Sequence, residues 1–77
     1  MFHTLRFRIQ YVSDLQRPGK PRLERVQVDS GLVLRARVRP WVKETARGPV
    51  EVADLDCDGD VLLAVPFAVL QFVEEDE

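Results

Sequence analysis

The chain has one cysteine, one histidine, one tryptophan and no basic residue after Arg47. Each scarcity excludes something. A lone cysteine, Cys57, rules out a disulfide within the chain, and an unpaired thiol predicts a reducing, cytoplasmic setting. The longest apolar stretch, Val61 to Leu70, is broken by Pro66 and falls well short of the ~20 residues a membrane helix needs, so no membrane partner is expected. The opening M-F-H-T-L-R-F-R-I-Q carries arginines inside its apolar run and lacks a small-residue cleavage site, which predicts no signal peptide. Prolines at 18, 21, 40, 49 and 66 leave no window for a long helix. With His3 as the only histidine, no Ser/His/Asp or Cys/His set can be assembled except around a residue near the terminus. A glycine-rich phosphate loop and a metal-spaced His/Cys cluster are both missing. The expectation is a protein that is not an enzyme and holds no cofactor.

What is present is alternation. Seventy-seven residues hold one domain, with a β domain over 1–73 and an acidic tail, E-E-D-E, over 74–77. In T-L-R-F-R-I-Q-Y-V, Leu5, Phe7, Ile9 and Tyr11 share one face, the period of a half-buried strand. S-D-L-Q-R-P-G-K-P reads as a loop, L-E-R-V-Q-V-D as a second strand and Asp29-Ser30-Gly31 as a turn. The next run places Leu32, Leu34, Ala36 and Val38 inward and Arg35, Arg37 and Arg39 outward. Three strands on short connections suggest an antiparallel meander, followed by a loop at K-E-T-A-R-G-P. Pro66 opens one tight turn before a last strand at about 70–74. The fold class expected is all-β: five to six antiparallel strands in a small, partly open barrel, with a 3₁₀ turn near Pro66. That order is SH3-like in style, a likeness of fold that carries no function.

The segment D-L-D-C-D-G-D, Asp54 to Asp60, admits two readings. As half of a calcium loop, Asp54, Asp56, Asp58 and Asp60 fit the first ligand positions around Gly59, but Val65 stands where a bidentate glutamate belongs. As a hairpin tip, a three-residue loop Cys57-Asp58-Gly59 pairs Asp56 with Asp60 and sorts Ala53, Leu55, Val61, Leu63 and Val65 onto one face. The hairpin is the preferred reading, and the like-charge pair it creates calls for a positive neighbour.

Charge supplies that neighbour. Residues 1–48 hold all eleven bases against four acids, a net of +7, and residues 49–77 hold nine acids, a net of −9. The halves either neutralise each other inside the fold or face charged partners. Arg35, Arg37 and Arg39 recur every second residue, as do Asp54, Asp56 and Asp58, with Asp60 across the tip. These ladders lie side by side in one sheet or meet between chains. Cys57, set among aspartates, is expected to have a raised pKa and little thiolate.

Two function classes follow. A thin core cannot cover both faces of the final apolar run, so Val61, Leu63, Val65, Phe67, Val69 and Phe72 are expected to contact a second copy in a homo-oligomer, a non-catalytic assembly module. Alternatively, Arg6, Arg8, Arg17, Lys20, Arg22 and Arg25, with Trp41 as the one aromatic free to stack, form a nucleic-acid-binding face.

Overall fold

The computed structural model describes residues 1–73, so the expected 74–77 tail lies outside the described residues. Its strands are β1 Phe2–Phe7, β2 Tyr11–Gln16, β3 Glu24–Val28, β4 Val33–Thr45, β5 Gly48–Cys57, β6 Asp60–Pro66 and β7 Leu70–Phe72, with a 3₁₀ turn at Phe67–Val69. All pair antiparallel in one sheet of order β3-β2-β6-β5-β4-β1-β7.

The connections force this sheet to curl. β1 and β2 stand four places apart in the sheet, yet only Arg8, Ile9 and Gln10 join them. Four strand spacings in a flat sheet measure about 19 Å. The step from Phe7 to Tyr11 reaches at most about 14 Å. The links from β3 to β4 and from β6 to β7 also cross four places on a few residues. An open half-barrel results, with β3 and β7 at its edges. Backbone hydrogen bonds fasten the crossovers: Gly31 N–H donates to Phe7 O (2.8 Å), Phe7 N–H to Leu32 O (2.9 Å) and Arg8 N–H to Val69 O (2.8 Å).

The core fills the inside of the curl with Leu5, Phe7, Leu15, Val28, Ala36, Ala53, Leu55, Leu62, Val65, Val69 and Leu70. Leu34, Ala36 and Val38 point inward and Arg35, Arg37 and Arg39 outward, as the alternation predicts. The turn at Phe67–Val69 is also where Pro66 places it.

Several boundaries differ from the sequence reading. There are seven strands, not five to six, because the first expected strand splits at Arg8–Gln10 and leaves Ile9 exposed. Ser13, Asp14, Leu15 and Gln16 belong to β2 and not to a loop, which shortens the loop to 17–23. The expected meander does not form: β3 pairs only with β2, and β4 lies between β1 and β5. Leu32 precedes β4 and is half exposed. The segment K-E-T-A-R-G-P is hairpin, not open loop. β4 runs on to Thr45, opposite Gly48, and Gly48 alone at that turn has positive φ (107°). A left-handed glycine after a tight turn closes such a hairpin without strain.

Candidate functional site

The Asp54–Asp60 tip is a hairpin with a shorter loop than expected. Cys57 pairs with Asp60, Asp56 with Val61 and Leu55 with Leu62, so the loop is the two residues Asp58-Gly59. Both take positive φ, 54° and 99°, as a type I′ turn requires. Asp56 therefore does not face Asp60, and the like-charge pair is absent. The two-residue turn sets Asp56 beside Val61, and the apolar residues are sorted onto the inner face further along. Ala53 pairs with Val65 while Leu55 pairs with Leu62, so Leu63 and Ala64 form a bulge opposite Asp54. Ala64 takes φ 52° to make it. The bulge puts Leu62 and Val65 inward and moves Val61 and Leu63 out of the expected inner set.

The aspartates serve this geometry. Asp54 Oδ1 accepts from the N–H of Ala64 (2.9 Å), which the bulge leaves without a ladder partner, and from Trp41 Nε1 (3.0 Å). Buried Ser13 donates its hydroxyl to the bulge carbonyl Leu63 O (3.3 Å). Asp56 Oδ1 accepts from Gly59 N–H (2.9 Å) and braces the turn. Among the described residues, no three His, Cys, Asp or Glu side chains converge to hold a metal ion. The Cys57 thiol is pushed up by burial first and then by Asp56, Asp60 and Asp58, the direction expected from its neighbours.

The charge ladders lie side by side within one sheet. Arg37 stands opposite Asp56 and Arg39 opposite Asp54. Asp60 is not part of the ladder, since the two-residue turn pairs it with Cys57 on the other face. The register does not produce ion pairs. Among the described residues the pairs within 4.0 Å are Arg17–Glu24 (3.8 Å) and Arg25–Asp14 (4.0 Å). Arg37 and Arg35 instead lean over the Phe2 ring, at 5.2 and 5.9 Å from its centroid. The alternation quoted from Thr4 does not reach Phe2, whereas β1 begins there. Extending the alternation back from Arg6 places Phe2 on the outer face.

The six residues expected to form an oligomer contact fall in three places. Val65 (0% exposed) and Val69 (7%) lie in the chain's own core and are closed to a partner. Their burial follows from the curl, which folds the 3₁₀ turn over the inner face. Val61 and Leu63 are partly buried on the outer face. Phe67 and Phe72 stack at the mouth of the half-barrel, with ring centroids 6.3 Å apart, and His3 meets Phe72 edge-on at 5.5 Å. Beside them a cleft of about 330 Å³ is lined by Pro40, Trp41, Val42, Glu51 and Phe67. Trp41, Val42 and Phe72 are 42%, 55% and 46% exposed. The apolar series Leu34, Ala36, Val38, continued to Pro40 and Val42, was the signal for this surface.

The proposed nucleic-acid residues are also dispersed. Arg6 is on the outer face of β1 and Arg25 on that of β3, at opposite ends of the sheet order. Arg8 lies in the first crossover, and Arg17, Lys20 and Arg22 are exposed in loop 17–23. Trp41 is directed to Asp54. Among the described residues no helix is long and apolar enough to cross a membrane. Comparison with protein-family models, curated proteins and solved structures gave no match.

Proposed function

We propose that the chain is a non-catalytic assembly module that pairs with a second copy of itself through the mouth of the half-barrel. The reading includes an SH3-like style of fold and a cytoplasmic setting in which Cys57 stays a thiol. The observation that carries it is the apolar surface left where the inner face runs out onto the β4–β5 hairpin. Trp41, Val42 and Phe67 line one cleft there, and Phe72 stacks on Phe67 beside it. Their exposed parts amount to roughly 300 Å², a typical size for a monomer's largest functional patch. An apolar centre of that size suits a standard contact of about 800 Å² per partner. Glu51 lines the cleft and Lys43 follows Val42 on β4, so a twofold arrangement that sets Lys43 against Glu51 of the second copy joins opposite charges. A second copy therefore suits the patch in size and in charge.

Sedimentation velocity over a wide concentration range, at low and high salt, tests this. The expected result is a concentration-dependent dimer that survives high salt, because its centre is apolar. Val42→Asp or Phe72→Asp, both at exposed positions, should return the monomer without loss of folding. A wild-type monomer at all concentrations in both buffers would remove the proposal.

A further inference from the structure

The outer face carries a second surface, independent of the mouth. The pairings place Gln16, Val61, Asp56, Arg37 and Phe2 in one row across five strands. Followed along the curled sheet, four strand spacings make that row about 19 Å long. Three adjoining clefts follow it. The first, about 520 Å³, is lined by residues of loop 17–21 together with Gln16, Gly59 and Val61. The second, about 220 Å³, shares Gly59 and adds Arg37, Asp56, Asp58 and Phe2. The third, about 290 Å³, shares Phe2 and Asp58 and adds Arg35. Loop 17–23 is held at one end by a turn, with Lys20 N–H donating to Arg17 O (3.2 Å) and Gly19 at φ 71°. Pro18 closes against the hairpin tip: a Cβ on Gly59 would lie 2.9 Å from Pro18 Cγ.

We propose that this groove binds single-stranded nucleic acid. Its ends are cationic, Arg17 and Lys20 at one and Arg35 and Arg37 at the other, which suits a polyanion crossing from end to end. At the second end the cations lie over an aromatic ring, and flat guanidinium and aromatic faces match stacked bases. An acidic peptide offers charge but no flat face. Asp56 and Asp58 stand between the two ends, where they repel phosphate and accept hydrogen bonds from base amino groups. The groove therefore takes a strand of about four nucleotides with phosphates at its ends and a base edge at its middle. It favours bases that carry an exocyclic amine, such as cytosine, over thymine.

The test is fluorescence anisotropy with labelled oligo-dC and oligo-dT at low salt. The expected results are tighter binding of oligo-dC, and a log–log salt slope that falls in magnitude by about 0.7 in Arg37→Gln. Phe2→Leu, which keeps an apolar side chain without a ring face, should weaken binding about tenfold. Asp58→Asn should narrow the gap between oligo-dC and oligo-dT. Val42→Asp at the mouth should leave binding unchanged, which separates this site from the self-association proposed above. Absence of binding at low salt, wild-type affinity in both Phe2→Leu and Arg37→Gln, or equal competition by poly-glutamate would each overturn the proposal.

Discussion

Asp54 does more for the fold than its charge suggests. It supplies the acceptor that makes a bulge tolerable, and it fixes Trp41 through the same oxygen. Asp54→Ala leaves the Ala64 N–H without a partner and is expected to cost about 1–3 kcal/mol in urea denaturation. Asp54→Asn keeps an acceptor and should cost less, which separates the hydrogen bond from the charge. Cys57 gives a second residue-scale prediction. Its thiol pKa is raised by burial and then by Asp56, Asp60 and Asp58. Alkylation at pH 8 should therefore be slower than for a free cysteine, with its pH–rate midpoint displaced upward and partly restored by salt. The linked stability has a definite sign. It is fully present below the unfolded thiol's pKa and is lost as pH rises through the higher folded value. Cys57→Ser should flatten that alkaline decline in a melting series. The acidic residues of the tip were plain in the sequence, but their acceptor roles were not. Those roles depend on which N–H groups the bulge and turn leave over, and that is a property of paired strands.

The β4–β5 hairpin sets the element scale. β1 pairs with β4 only over Val33–Arg37, and β6 pairs with β5 only from Val52 onward. Between Lys43 and Val50 each strand has only the other. A two-stranded ribbon is marginal in water, so its amides should exchange with solvent much faster than those of Leu55 or Ala36. Hydrogen exchange followed by mass spectrometry or NMR checks this, and equal protection along the whole of β4 would contradict it. Pro40 lies on the stretch of β4 that β1 does not cover, and lacks the N–H with which an added strand would pair. The arm is thereby turned toward contact by its faces and away from pairing by its edge. The sequence placed a loop here because K-E-T-A-R-G-P is polar and closes on Gly-Pro. Only the ladder across to Gly48 reveals a strand that continues into solvent.

Over the whole molecule, a half-barrel that does not close leaves apolar surface at its mouth and charge on its back. If the two surfaces act separately, disrupting one should not change the other. Val42→Asp should abolish concentration-dependent sedimentation while far-ultraviolet circular dichroism and the melting temperature change little, because Val42 is 55% exposed. Arg37→Gln should leave sedimentation as in the wild type. The charge division of the chain, basic to residue 48 and acidic after it, becomes neighbouring stripes on one outer face, with Arg37 and Arg39 beside Asp56 and Asp54. Arg35 and Arg37 nevertheless turn to Phe2, and Asp54 and Asp56 to backbone N–H groups.

The sequence by itself determined the all-β class, the inward and outward faces of β1 and β4, the 3₁₀ turn after Pro66 and the hairpin at Asp58-Gly59. These follow from local rules, a period of two, fixed proline geometry and glycine at positive φ, although the loop expected at the tip was Cys57-Asp58-Gly59 and the pairing of Cys57 with Asp60 shortens it to Asp58-Gly59. The tertiary structure decided the strand order, the bulge at Leu63–Ala64, the burial of Val65 and Val69, and the pairing of Phe2 with Arg35 and Arg37. These depend on which distant strands lie adjacent once the short crossovers have curled the sheet, and periodicity within a strand carries no information about its neighbours.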